Sequence, residues 1–160
     1  MYLDANDNDR VHVATRASRD EPWGEPIPVD AVGENADGRT PWITPDGLQL
    51  YFAAVREDGA GVSDTWWIER PDRQSPWGEV LPLLEVNSAL EEFAPSLSAD
   101  RLQLVFTRAN VGLGGQELWL TRRDAVGDEW KEPESLTIND PTRKDSDAVL
   151  SPDGLEIWWV

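Results

Sequence analysis

Three short stretches carry apolar residues at every second position. They are Leu48-Gln49-Leu50-Tyr51-Phe52, Leu102-Gln103-Leu104-Val105-Phe106 and Leu155-Glu156-Ile157-Trp158-Trp159. Apolar side chains at i, i+2 and i+4 mark a strand with one buried face. The residues between them include Tyr51, Val105 and Trp158, which are bulky too. A sheet packed on both faces is therefore expected. Each stretch follows a turn signal: Thr44-Pro45-Asp46-Gly47, Ser98-Ala99-Asp100-Arg101 and Ser151-Pro152-Asp153-Gly154. Asp-Gly between apolar runs reads as a hairpin, since Gly tolerates positive φ where the chain reverses. Asp46, Asp100 and Asp153 are read as turn formers.

The turns recur at 54 and 53 residues, and so do Trp23, Trp77 and Trp130, which open the segments Trp-Gly-Glu-Pro, Trp-Gly-Glu and Trp-Lys-Glu-Pro. Periods of this length belong to solenoids and propellers, where one unit cannot bury its own faces alone. Each repeat reads as four short strands. The first enters the turn, as in 40–44, and the second leaves it. The third is 65–70 in one repeat and 117–122 in the next. The fourth carries the Trp motif and, with Pro26 and Pro28, suits an outer edge. No segment reads as a helix. The fold expected is all-β, a β-propeller of four-stranded blades.

The repeats run over 37–86 and 91–138, and the ends are out of phase with them. Residues 10–16 read as a third strand, and the chain finishes on a second strand. Placing 145–160 before 1–30 completes a blade in register. Propellers carry 4–8 blades, and three in one ring would demand too sharp a turn between neighbours. Two chains sharing their end blades would make six, so a homodimer is the leading expectation. A piece of a longer propeller is its rival.

Composition narrows the partners. The net charge is −17, from 31 acidic residues against 14 Lys plus Arg. Such a surface repels phosphate backbones, so nucleic acid is excluded as a partner. No apolar run is long enough for membrane insertion. A protein or basic peptide ligand, a metal cation or a neutral ligand remains. Without Cys, disulfides and thiol catalysis are excluded. The start, Met1-Tyr2-Leu3-Asp4, has no signal-peptide character.

The Ser-Pro-Asp-Gly-Leu-Glu-Ile-Trp-Trp run at 151–159 and Pro45-Asp46-Gly47 resemble the repeats of the TolB-like, WD-repeat-like β-propeller family. The middle repeat departs, with Ala99 and Arg101 in place of Pro and Gly. The Asn-bearing linkers (Asn35, Asn87, Asn139) fit the same subgroup. The resemblance covers essentially the whole chain. It implies a propeller and a periplasmic or extracellular place, and leaves function open.

Candidate chemistry is sparse. The Trp residues 23, 77 and 130 invite a sugar-platform reading, but their fixed phase favours locking the outer strand onto the blade. His12, the only His, aligns with Trp66 and Leu118 as a packed residue. No Gly-x-Ser-x-Gly nucleophile signature is present, and no motif calls for a cofactor. Before each first strand stand carboxylates: Asp37, then Glu91 with Glu92, then Asp145 with Asp147, interspersed with Arg39, Arg143 and Lys144. Gathered at a channel mouth, they would bind a cation or a basic group. A solvated acidic rim is the bland reading. The function expected is a non-enzymatic binding or scaffold module. A carboxylate-based glycoside hydrolase or lyase is the alternative.

Overall fold

The computed structural model describes residues 10–33, 38–110 and 115–160. Two complete four-stranded antiparallel sheets occupy its centre. In the first, β3 (Arg39–Ile43), β4 (Gln49–Ala54), β5 (Asp64–Glu69) and β6 (Leu81–Pro82) lie in sequence order. In the second, the same holds for β7 (Glu91–Leu97), β8 (Gln103–Asn110), β9 (Gly115–Arg122) and β10 (Glu134–Ser135). Two half-sheets flank them. β1 (His12–Val13) pairs with β2 (Ile27–Pro28), and β11 (Val149–Leu150) pairs with β12 (Ile157–Trp158). By repeat phase β1 and β2 stand where third and fourth strands stand in the complete sheets, and β11 and β12 where first and second strands stand. One 3-10 turn, Asp30–Val32, is the only helical element among the described residues.

The turns into the second strands are built identically. Thr44, Ser98 and Ser151 each donate a hydroxyl to the Asp two residues on, at 2.5, 2.6 and 2.6 Å. Each Asp then accepts the N–H of Leu48, Leu102 or Leu155. These bonds hold all three carboxyls below the usual range, the hydroxyl contributing most. The next residue is left-handed every time: Gly47, Arg101 and Gly154 have φ of 74°, 62° and 70°. Arg101 shows that the Ser/Thr-x-Asp bonds hold the turn even without Gly.

A second left-handed position lies inside β3 and β7, at Thr40 and Ala94, and just before β11, at Asp147. There β3 and β7 shift register by a bulge. A hydroxyl reaches two of these sites from the preceding blade. Thr40 accepts the Ala94 N–H at 3.0 Å, and Thr107 accepts the Asp147 N–H at 3.1 Å. The bulges therefore join neighbouring blades side by side.

The outer strands are shorter than the sequence suggests, two residues each. The Trp motif precedes them and grips the third strand by one bond. The N–H of Gly24, Gly78 and Lys131 reaches the carbonyl of Thr15, Glu69 and Arg122. An Arg seven residues before each Trp lies over its ring: Arg16 on Trp23, Arg70 on Trp77, Arg123 on Trp130. The Arg in phase in the third case is thus Arg123, not Arg122. His12 accordingly matches Trp66 and Trp119, not Leu118.

Three apolar layers separate the four sheets. The middle layer contains Tyr51, Leu83, Val86, Leu97, Leu104, Phe106 and Trp130. The linker Asn residues seal the outer end of each complete sheet. Asn87 accepts the Thr65 N–H at 2.8 Å and donates to the Thr65 carbonyl at 3.0 Å. Asn139 does the same to Leu118 at 2.8 and 3.0 Å. Asn35 lies outside the described residues.

Asn87→Ala removes both bonds and leaves the buried Thr65 N–H unpaired, while the Thr65 carbonyl keeps the Leu83 N–H. The expected loss is about 1–3 kcal/mol, read as a lower urea midpoint with the slope unchanged.

Candidate functional site

Of the carboxylates expected at a channel mouth, Asp37 lies outside the described residues. The other four are placed, and they do not share one setting. Glu92 is fully buried. It accepts the Ser88 hydroxyl at 2.5 Å, the Ser88 N–H at 3.0 Å and Arg108 Nε at 2.8 Å. Asp145 stands at the same repeat position and is also buried. It accepts the Asp140 N–H at 2.6 Å and Trp159 Nε1 at 3.0 Å. Both bind the backbone one residue past the linker Asn. Glu91 is half-buried and pairs with Arg39 at 2.5 Å, across from one inner strand to the next. Asp147 is exposed and accepts the Ser146 hydroxyl at 2.9 Å. No three His, Cys, Asp or Glu among the described residues are grouped to hold a metal ion.

The Trp positions differ widely. Trp130 is 6% exposed, Trp77 is half-buried and Trp23 is 64% exposed. Trp130 has a complete sheet before it, Trp77 a half-sheet, and Trp23 none.

A groove of about 570 Å³ lies between the two complete sheets, toward their outer strands. Its floor is aromatic. Tyr51 and Trp67 are cross-strand partners on β4 and β5, with rings stacked at 6.1 Å and 18°. Trp42 meets the Tyr51 ring edge-on, also at 6.1 Å. The Tyr51 hydroxyl donates to Gln49 Oε1 at 3.2 Å. Burial raises the Tyr51 pKa, so the phenol stays protonated. Arg123 lines one wall, donating Nε to the Arg101 carbonyl at 2.8 Å. Its Nη2 is buried without a hydrogen-bond partner. Burial lowers the guanidinium below its ordinary value, yet far from neutrality. The rim is acidic: Glu69, Glu85, Asp128 and Glu129 all line it and are exposed. An aromatic floor under carboxylates suits a cation carried on an apolar stem.

Sequence reasoning missed this groove. Tyr51 and Trp67 were legible only as strand residues, and the 126–129 loop carries no motif. It also missed Asp64. That carboxyl is buried at the start of β5. Oδ2 accepts the Gly61 N–H at 3.2 Å, and Oδ1 has no partner. Desolvation raises its pKa above 3.8.

No protein-family model matches the chain, and no curated protein matches it. Among solved structures it is similar to TolB from Acinetobacter baumannii, with a TM-score of 0.53 and 18% identity. The match covers 80% of this chain and 27% of that one, so the chain spans about a quarter of the structure it resembles. At this identity the likeness speaks for the fold alone. Together with the sheet order, it shows a TolB-like fold, consistent with the blades of a propeller.

Asp64 supplies a test by pH. Its folded pKa is raised, so the native state holds that proton more tightly than the unfolded chain. Its ionisation therefore costs stability as pH rises from about 3.8 through the folded value. Asp64→Asn removes that cost. The variant should melt higher than wild type at pH 7, and the gap should close toward pH 3.5. Thermal melts across that range check it; a gap independent of pH would refute the assignment.

Proposed function

We propose that this chain is a non-enzymatic binding module that holds a cationic segment of another protein in the groove between its two complete sheets. The observation that carries the reading is the stacked Tyr51–Trp67 floor lying under Glu69, Glu85, Asp128 and Glu129. A Lys or Arg side chain laid along that floor keeps its stem on the half-buried Trp67 ring, which the buried Tyr51 backs, and its head among the carboxylates. The charge of −17 would draw a basic segment toward the protein over the screening length of the medium. Glu92 and Asp145 use their oxygens on Arg108 and on backbone N–H groups, which favours binding over carboxylate catalysis. A periplasmic or extracellular setting, which the sequence resemblance implies, would suit such a module. No helix among the described residues is long and apolar enough to cross a membrane.

The test is calorimetric titration with a Lys/Arg-rich peptide. Binding is expected to weaken as salt rises. Glu69→Gln/Glu129→Gln should lower the affinity about two- to thirty-fold, from roughly 0.2–1 kcal/mol for each of two exposed charge pairs. Glu57→Gln/Glu132→Gln, outside the groove, should bind as wild type does. Equal affinities for both double variants would sink the groove as the site. Turnover of a panel of aryl glycosides by the pure protein would sink the non-enzymatic reading.

A further inference from the structure

The structure contains a socket for a side chain that this copy does not fill. A cavity of about 230 Å³ opens between the β1–β2 half-sheet and the β3–β6 sheet. Its lining includes Val13, Ile43, Leu50, Arg70 and Trp77. One repeat on, Leu97, Leu104 and Trp130 share a packed layer with Tyr51 and Trp67, and Arg123 stands beside them. Those residues are the repeat equivalents of Ile43, Leu50, Trp77, Arg70 and Val13. The residue missing from the socket is the equivalent of Tyr51. The sequence supplies it once more, as Trp158 on β12, which is 67% exposed.

We infer that a second copy of this chain inserts β12 beside β1 and seats its Trp158 in this socket. The two copies exchange the contact reciprocally and close a six-bladed ring with two shared blades.

Register follows from the two complete sheets. β4 pairs with β5 as Gln49↔Glu69, Tyr51↔Trp67 and Phe52↔Trp66. β8 pairs with β9 as Val105↔Leu120 and Phe106↔Trp119. Shifted by one repeat, Glu156 faces Thr15, Trp158 faces Val13 and Trp159 faces His12. β1 is already prepared for this partner. Val11, Thr65 and Leu118 accept the same fourth-strand N–H, from Val29, Leu83 and Leu136. The outer edge of β1 pairs with β2, and no described strand covers its inner edge.

The same missing neighbour explains two further exposures. Val86 is fully buried between complete sheets, whereas its counterpart Ile138 is 44% exposed. Trp130 packs with Leu83 and Val86 in one layer. In the closed ring, Trp23 of one copy meets Leu136 and Ile138 of the other in the same way. Each copy thus offers both a plug and a socket. Three copies would make nine blades, beyond the 4–8 that propellers use. The inference is independent of what occupies the groove.

Light scattering on the 160-residue chain at 10 µM should give about 36 kDa, twice 17.9 kDa. A monomer or a trimer overturns the proposal. The chain has no Cys, so engineered pairs report cleanly. Thr15→Cys and Glu156→Cys proteins, refolded together and oxidised, should form a disulfide-linked dimer; each alone should not. These polar positions leave Trp158 in place, and facing pairs of this kind meet disulfide geometry. No cross-link in the mixture, or a monomer cross-linked to itself in the double variant, overturns the proposal. Trp158→Ala should weaken dimerisation at least ten-fold, and Trp158→Tyr, which restores the residue type at position 51, should retain it. If Trp158→Ala fails to fold, the cysteine experiment decides alone.

Discussion

A blade sheet with apolar residues on both faces must have a neighbour on both faces. Every other feature of this chain answers to that demand. Burying one large apolar side chain is worth roughly 1.5–3 kcal/mol, and each face of the complete sheets presents several. The middle layer places Tyr51 and Trp67 from one sheet against Leu97, Leu104, Phe106 and Trp130 from the next. The exposure of a repeated Trp falls from 64% to 6% as the sheet before it goes from absent to complete. The side chain's identity is constant across that series; only the neighbour varies.

Local bonds set the angle at which neighbours meet. The left-handed residues inside β3, β7 and before β11 bend each inner strand at one fixed place. Thr40 and Thr107 then tie that bend to the preceding blade. Positive φ is costly for Thr, Ala or Asp. At Ala94 and Asp147 the inter-blade bond offsets part of that cost. Glu92 and Asp145 act nearby in the same cause, fixing the chain as it leaves the linker Asn. Their burial follows from this backbone role and requires no ligand.

Much of this was legible in the sequence, because repetition makes a local signal readable three times. The Ser/Thr-x-Asp turns, the second strands and the two end hairpins all follow from residue spacing. Arg101 was harder, since a non-Gly residue at a left-handed position hides the turn; the hydroxyl–Asp pair was the better signal. The carboxylates before the first strands were legible as positions but not as partners. Whether Glu92 faces solvent depends on Arg108, sixteen residues away on the next strand. That distance is set by strand register, which spacing alone does not give. Asp64 escaped for a different reason: its repeat counterpart, Glu117, is also an acid but is exposed, so the residue type at that position does not reveal burial.

Repetition also separates the two kinds of residue in the groove. Arg123 and Trp130 recur in every repeat as a stacked pair, so their presence is explained by the blade. Tyr51 and Trp67 do not recur: their counterparts are Val105 with Leu120, and Trp158 with Val13. Among the described residues, the stacked aromatic floor therefore exists between one pair of sheets. The acidic loop at 126–129 comes beside it through the same packing that buries Trp130. A repeat architecture builds equivalent grooves by default, and this one is made distinct by the few side chains that break the repeat. Structure-determining positions are those that the period preserves, and a binding preference must lie in those it does not.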